Sequence, residues 1–532
     1  MRCLLLLTLL TAMTTGASSM PDSADGVQDM PLEVRVGRLL WPVLDERAAE
    51  RYAPAVRAGR LGGGILRWHM PRGSAAGFIK QLRAWARQAP GRPPFFISVD
   101  HEGGPLFTQP ELGTMLPGNM ALGAAGSAEL AELAARASAG ELRALDVDIN
   151  FAPVVDVNSN PDNPIIGVRS FGEDPAAVAA LGAAAVRGYL RGGILPAAKH
   201  FPGHGDTSTD SHAALPTVAY KRTRWEQIDL PPFRAAIAAG VPMIMTAHVA
   251  MPALGTGDLP ATLSSAALQG VLREELGYEG VIVSDSLDMG AITKAYGAEE
   301  AAISAILAGC DVLLLGKGGH KHIHAALMRA VREGRISEKR LNASVRRILA
   351  LPARADQSGD PVVMPDRRIA EASITLLRNE DGLVPLRLQK GQRLLALSFE
   401  HPMFGPAFDL LVKELRERHA DTDSLLLRED VGAALTRAGG ADVIIVGTYQ
   451  WGGGVQARQK ELLARLRPLG KSVIQLSLLN PYEMRDYPAA RTVLLTYGTA
   501  PASLRAAVSL LFGESPFRGH VPVTFDDRRP RR

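Results

Sequence analysis

The chain has 532 residues, 46% of them hydrophobic and 21% charged, with 59 basic against 55 acidic side chains and a formal charge of +4. Such a composition excludes disordered, collagen-like and coiled-coil chains, and the length allows about three domains, or one large barrel with a smaller companion. Part of the positive excess lies in Arg528-Arg529-Pro530-Arg531-Arg532; with no basic and aromatic stripe elsewhere, it reads as a solvated tail, and no nucleic-acid partner is expected.

Met1-Arg2 is a basic head, residues 3–13 are apolar, and Thr15-Gly16-Ala17 supplies small residues. This is the layout of a secretory signal peptide, placed at 1–19, with an uncleaved anchor as the alternative. Cleavage would leave Cys310 as the single cysteine, since Cys3 goes with the leader. A disulfide framework and a cysteine-built zinc site are thereby excluded. A secreted or periplasmic location is expected. No later stretch is apolar for the ~18 positions a membrane span needs.

From 32 to 355, short apolar runs alternate with helical stretches. Strands are predicted at 64–66, 95–99, 149–153, 195–198, 243–246, 281–284 and 312–315, with helices at 128–143 and 176–191 between them. Strands apolar throughout imply a parallel sheet covered on both faces. Seven or eight such units favour a TIM-type (β/α)8 barrel, whose active sites gather at the C-terminal rim of the strands. Linker composition follows Pro352, and the linker is set at 356–366. A smaller α/β sandwich domain then fills 367–532, with strands near 394–398, 443–447, 473–478 and 493–497.

Polar residues crowd the barrel strand ends: Asp100, Lys199-His200, His248 and Asp285. The richest segment is Lys199-His200-Phe201-Pro202-Gly203-His204-Gly205-Asp206-Thr207-Ser208-Thr209-Asp210-Ser211-His212. Its histidines and aspartates suit either a divalent metal or acid/base work, because a turn brings the Asp210 carboxylate against the His212 imidazole and raises its basicity. Asp285 follows an apolar strand directly and suits a nucleophile, a metal ligand or a cap. Gly167-Val168-Arg169-Ser170-Phe171-Gly172-Glu173-Asp174-Pro175 offers an arginine fork for hydroxyl or carboxylate groups. Trp68-His69 at a strand end reads as a packed tryptophan more than a rim lining. His320, His322 and His324 open a helix on different faces and make no metal trio. Trp451-Gly452-Gly453-Gly454 reads as a turn or a lid, not a nucleotide loop, as no Gly-Lys-Ser/Thr follows.

Taken in order, Asp100-x-Glu102-Gly-Gly, Gly167-x-Arg169-Ser-Phe-Gly-x-Asp-Pro, the histidine loop 199–212 and Ser284-Asp285-x-Leu287 resemble glycoside hydrolase family 3, most closely its bacterial β-N-acetylglucosaminidase branch. The resemblance spans the first domain, and the second resembles the α/β sandwich that many members carry. It implies a barrel fold, a retaining mechanism and no cofactor. Asp285 would be the nucleophile, His212 the acid/base and Asp210 its partner, while Asp100, Arg169, Lys199 and His200 would hold the sugar. The implied substrate is a glycan ending in β-linked N-acetylglucosamine, as in cell-wall fragments. Thr108 stands where members often have a second sugar-contacting arginine. All matched residues fall between Asp100 and Asp285, so the second domain is expected to supply no catalytic residue. A phosphorylase with the same site, a β-glucosidase and a metal-dependent hydrolase remain the alternatives.

Overall fold

The computed structural model describes residues 26–104, 109, 111–316, 319–352, 363–400, 405–428, 431–451 and 454–525. The leader 1–19 with Cys3, the Thr108 position, most of the linker and the arginine tail lie outside the described residues.

Eight parallel strands form the first sheet: β1 (Leu40–Leu44), β2 (Gly63–Leu66), β3 (Phe96–Val99), β4 (Ile149–Asn150), β5 (Leu195–Phe201), β6 (Met243–Thr246), β7 (Val281–Val283) and β8 (Leu313–Leu315). From β1 to β7 each pairs with the next in sequence, and β1 also pairs with β8. A parallel bridge from Val283 to Val312 joins β7 to β8, so the sheet is an all but closed α/β barrel. The strands are buried along nearly their whole length because helices cover them outside and side chains fill them inside. The strand β1 was not among those predicted. The β4 ladder is shorter than its predicted run, because Pro153 has no N–H to give; Val154 rejoins through a bridge to Lys199.

Local chemistry fixes the helices. Ser127 caps Ala128–Ala144 by accepting from the Leu130 N–H, and Asp174 caps Pro175–Arg191 by accepting from Ala176 and Ala177. Proline at the first helical position sets the φ that the helix needs. These two helices approach closely: a Cβ at Gly188 would lie 2.3 Å from the Glu132 carbonyl oxygen.

The second sheet begins with β9 (Thr375–Asn379), β10 (Leu394–Phe399), β11 (Thr422–Leu427) and β12 (Val443–Thr448). A hairpin of β13 (Gln450–Trp451) and β14 (Gly454–Val455) follows, then β15 (Ser472–Ser477) and β16 (Thr492–Leu495). The sheet order is β11-β10-β12-β15-β16-β9, with only β9 antiparallel. The expected turn at Trp451 is thus a hairpin, its residues 452–453 outside the described set. Met120, Ala121 and Ala124, from the barrel-side helix Asn119–Ala125, sit in the core of this second domain, so the two domains share buried apolar surface. No helix among the described residues is long and apolar enough to cross a membrane.

Candidate active site

A cleft of about 610 Å³ opens at the C-terminal rim of the barrel, and Asp100, Arg169, Lys199, His200, His212 and Asp285 all line it. Asp100 directly follows β3, Lys199 and His200 end β5, and Asp285 lies two residues past β7. Arg169 comes from the loop after β4, and Asp210 and His212 from the loop after β5. The barrel thus gathers six of the seven residues given a catalytic or sugar-holding role, and the seventh, Asp210, reaches the cleft through His212.

Glu102 organises the charged floor. Its carboxylate takes the Arg169 fork at 2.8 Å on each oxygen, and Lys199 Nζ at 2.6 Å. Lys199 Nζ also donates to Asp100 Oδ1 at 2.9 Å. Burial raises the Glu102 carboxyl, but the two cations outweigh it and hold the group down at about 2. Burial, with help from the Glu102 and Asp285 charges, pushes Asp100 above its ordinary range, against Lys199. Arg169 also donates from Nη1 to the Ile165 carbonyl at 3.1 Å. Its fork is therefore spent largely on the protein.

Asp156 anchors the start of the histidine loop. It accepts from the His200 backbone N–H, from the His204 N–H at 2.8 Å and from His200 Nδ1 at 2.7 Å. His200 is buried beside Arg169 and Lys199, so its imidazole stays neutral, well below its ordinary pKa. With the proton on Nδ1, His200 Nε2 is left as an acceptor, 3.4 Å from Arg169 Nη2. His204 turns its ring to Thr207 Oγ1 at 2.8 Å and Ser211 Oγ at 2.9 Å. Glycine is needed twice here. Gly203 has φ +131° and packs on Asp229, and a Cβ at Gly205 would lie 1.7 Å from the Val157 carbonyl oxygen.

Asp210 accepts both the His212 N–H and Nδ1 at 2.8 Å, which puts the Nδ1 proton toward the carboxylate, and the His212 side chain lines the cleft. The segment is stitched across the mouth: Gly290 N–H donates to the His212 carbonyl and Ala291 N–H to that of Ser211. Asp285 Oδ1 accepts from the Ser286 N–H at 2.7 Å. Burial pushes the Asp285 carboxyl up, but His248, His200, that N–H and Lys199 together bring it below its ordinary range. His248 Nε2 donates to the Ser286 carbonyl at 2.9 Å and so fixes the turn that carries Asp285.

The sequence reading gave Glu102, Asp156 and His248 no role. Glu102 sat inside the Asp-x-Glu-Gly-Gly motif, and Asp156 ends an apolar run, so each carried a weak signal. A second omission is the asparagine ladder of the loop after β4. Asn158 Oδ1 accepts the Gly167 N–H at 3.0 Å, and Asn163 Nδ2 donates to the His204 carbonyl at 2.8 Å. Asn158 Nδ2 donates to the Tyr482 hydroxyl of the second domain at 3.0 Å. Trp68 and His69 line the cleft, so Trp68 is half-buried at the rim and not a packed core residue. His320 is buried against Tyr52, His322 is exposed and His324 donates to the Glu33 carbonyl.

Among the described residues, no group of three or more His, Cys, Asp or Glu side chains is placed to hold a metal ion. The loop histidines turn ring nitrogens to Asp156, Thr207, Ser211 and Asp210 in place of a common centre.

Residues 32–351 match the Glycosyl hydrolase family 3 N terminal domain, and residues 374–531 its C-terminal domain. The chain belongs to glycosyl hydrolase family 3. It is 32% identical over 510 residues to Beta-hexosaminidase A of Pseudoalteromonas piscicida, covering 83% of this chain and 85% of that protein. It is 30% identical over 538 residues to a Beta-N-acetylglucosaminidase/beta-glucosidase of Cellulomonas fimi, covering 93% and 94%. The solved family 3 β-N-acetylglucosaminidase from Paenibacillus sp. str. FPU-7 superposes with a TM-score of 0.85 at 36% identity, over 93% of this chain and 99% of that one. This family 3 chain is accordingly a glycoside hydrolase, with carbohydrate as its substrate.

Proposed function

We propose that the protein is a retaining exo-glycosidase that releases terminal β-linked N-acetylglucosamine from peptidoglycan-type glycans, outside the cytoplasm. The observation that carries the reading is Asp285, a carboxylate held below its ordinary pKa at the rim, in the same cleft as a histidine oriented by Asp210. Asp285 attacks the anomeric carbon while protonated His212 gives its Nε2 proton to the departing oxygen. Neutral His212 then takes a proton from the water that releases the sugar, with Asp210 holding Nδ1 throughout. Two carboxylates serve these roles in many retaining enzymes; an imidazole adds no negative charge beside Asp285. Asp100, Lys199 and His200 grip the ring hydroxyls. The names of the relatives support an acetamido sugar, and the basic head, apolar run and small residues at 1–19 support export.

A 5-fluoro N-acetylglucosaminide tests the mechanism. The expected result is a covalent sugar on Asp285, located by peptide mapping, with turnover that needs no added phosphate. A label on Asp288, or on no carboxylate, overturns the assignment. The N-acetylglucosaminide should also exceed the glucoside in kcat/KM, since a site that pairs with an acetamide penalises an analogue lacking it. Equal values would remove the acetamido specificity and leave the glycosidase chemistry standing.

A further inference from the structure

The cleft at the barrel rim has a wall that the chemistry at Asp285 does not use. Asp100, Lys199 and His200 reach the cleft from the ends of β3 and β5, and the reacting groups come from the segments after β5 and β7. Val43, Ile65 and Leu66, from β1 and β2, line the cleft together with Trp68 and His69 just past β2. At about 610 Å³ the cleft has the size that takes a drug-sized molecule, more than one sugar ring fills.

The turn that carries Trp68 is built, not loose. His69 sits at φ +56°, in the left-handed region that a non-glycine residue rarely adopts. Arg67 Nη1 donates to both carbonyls of the tip, Trp68 at 2.8 Å and His69 at 3.1 Å. Its guanidinium is fixed in turn, with Nε donating to Asp45 Oδ1 at 3.1 Å and Glu46 Oε2 at 2.7 Å, both just past β1. His69 Nδ1 lies 3.2 Å from Glu111 Oε1, in the loop after β3. Arg47 closes on the Asp45 carboxylate at 3.0 and 2.9 Å, so the charges beside the tip pair with one another. Backbone held in a sparsely populated conformation by its surroundings concentrates at ligand sites. What this tip holds at the cleft edge is a half-buried indole, set edge-on to the His69 ring with centroids 6.3 Å apart.

We propose that Trp68 is the platform on which the leaving-group sugar stacks. The proposal rests on the exo-glycosidase reading of this cleft: an enzyme that takes a chain end can hold a second ring only on the departing side. A pyranose presents a face of C–H groups, and an indole covers such a face with a large, rigid apolar area while its N–H stays available to water. Because Arg47, Arg67, Asp45 and Glu46 are paired among themselves, the wall selects a ring by its apolar face and not by charge. The charged floor holds the terminal sugar and Trp68 the next ring, so the cleft favours a glycan end over a simple alkyl glycoside.

The test uses two substrates that both leave as alkoxides and differ in the second ring: the β-1,4-linked disaccharide of N-acetylglucosamine and methyl β-N-acetylglucosaminide. Trp68→Ala should lower kcat/KM for the disaccharide about tenfold or more beyond any fall on the methyl glycoside. Trp68→Phe keeps an aromatic face and should restore most of that ratio. Turnover of the methyl glycoside reports a folded site in each variant. The same pair in the glucose series separates this proposal from the acetamido reading. Should the glucosides be the better substrates, that reading falls, and the disaccharide-to-methyl ratio in their series decides for or against Trp68. Equal falls on the two substrates, no fall on either, or the same loss in Trp68→Phe as in Trp68→Ala overturns the proposal.

Discussion

Replacing Glu102 by glutamine keeps the volume and removes the charge that two cations share. The Glu102 side chain is 1% exposed and pairs with both Arg169 and Lys199. Its carboxyl lies at about 2 against an ordinary 4.5; at ~1.4 kcal/mol per pH unit that difference is worth roughly 3 kcal/mol of stability. Breaking a buried pair from one side costs about 3–5 kcal/mol by independent reasoning, so the two routes agree. Because the folded-state pKa is depressed, this stability is fully present above pH 4.5 and is lost as the pH falls toward 2. Glu102→Gln should therefore unfold about 5 °C below the wild type at pH 7, measured by differential scanning calorimetry. The gap should narrow to about half as the buffer is taken from pH 5 to pH 3. Turnover should fall about a hundredfold (~2.7 kcal/mol), because Lys199 and Arg169 lose the partner that places them. A gap at pH 7 below about 1 kcal/mol, or one that does not shrink with acid, would refute the reasoning.

His212→Ala should lower kcat by about 10²–10⁴-fold for poor leaving groups and much less for nitrophenyl glycosides, and Asp210→Ala should lower it less, since it disturbs the orientation of the ring without deleting the proton carrier. Tyr482→Phe removes the hydroxyl that holds Asn158. It should cost about 1 kcal/mol of stability and raise KM several-fold with kcat nearly unchanged; a fall in kcat alone would argue against positioning through the Arg169 loop. Glu483 is wholly buried, and burial pushes its carboxyl up to about 8. Its folded form keeps a proton that the unfolded chain gives up near pH 4.5, so stability falls as pH rises from 4.5 to 8. Glu483→Gln should match the wild type near pH 4 and exceed it by roughly 4 kcal/mol at pH 8, read from urea unfolding at the two pH values.

The barrel was legible because parallel strands buried on both faces read as apolar runs, and capped helices announce themselves between them. Helices predicted at 128–143 and 176–191 appear as Ala128–Ala144 and Pro175–Arg191. The strand β1 was not legible: Pro42 lies inside it and argues against a strand, and the run follows the helix Leu32–Arg38 with no turn signal. Only barrel closure, with Pro42 set against Leu315 of β8, makes it a strand.

The site divides the same way. Asp210 and His212 are two residues apart, and Asp100, Lys199, His200 and Asp285 each sit at or just past the end of an apolar run, so local sequence alone marks them as rim chemistry. What those groups do to one another is tertiary. Glu102 reaches Arg169 across 67 positions, His200 reaches Asp156 across 44, and Tyr482 reaches Asn158 across 324. Nothing local signals such pairs, since a buried carboxylate and a surface one have the same sequence signature until the chain has closed around one of them. Local sequence sets which residue types stand at the strand ends. Closure of the barrel and docking of the second domain decided which charges are desolvated, which protons are held, and how the Arg169 loop is fixed, because burial and distance are set only when remote elements meet.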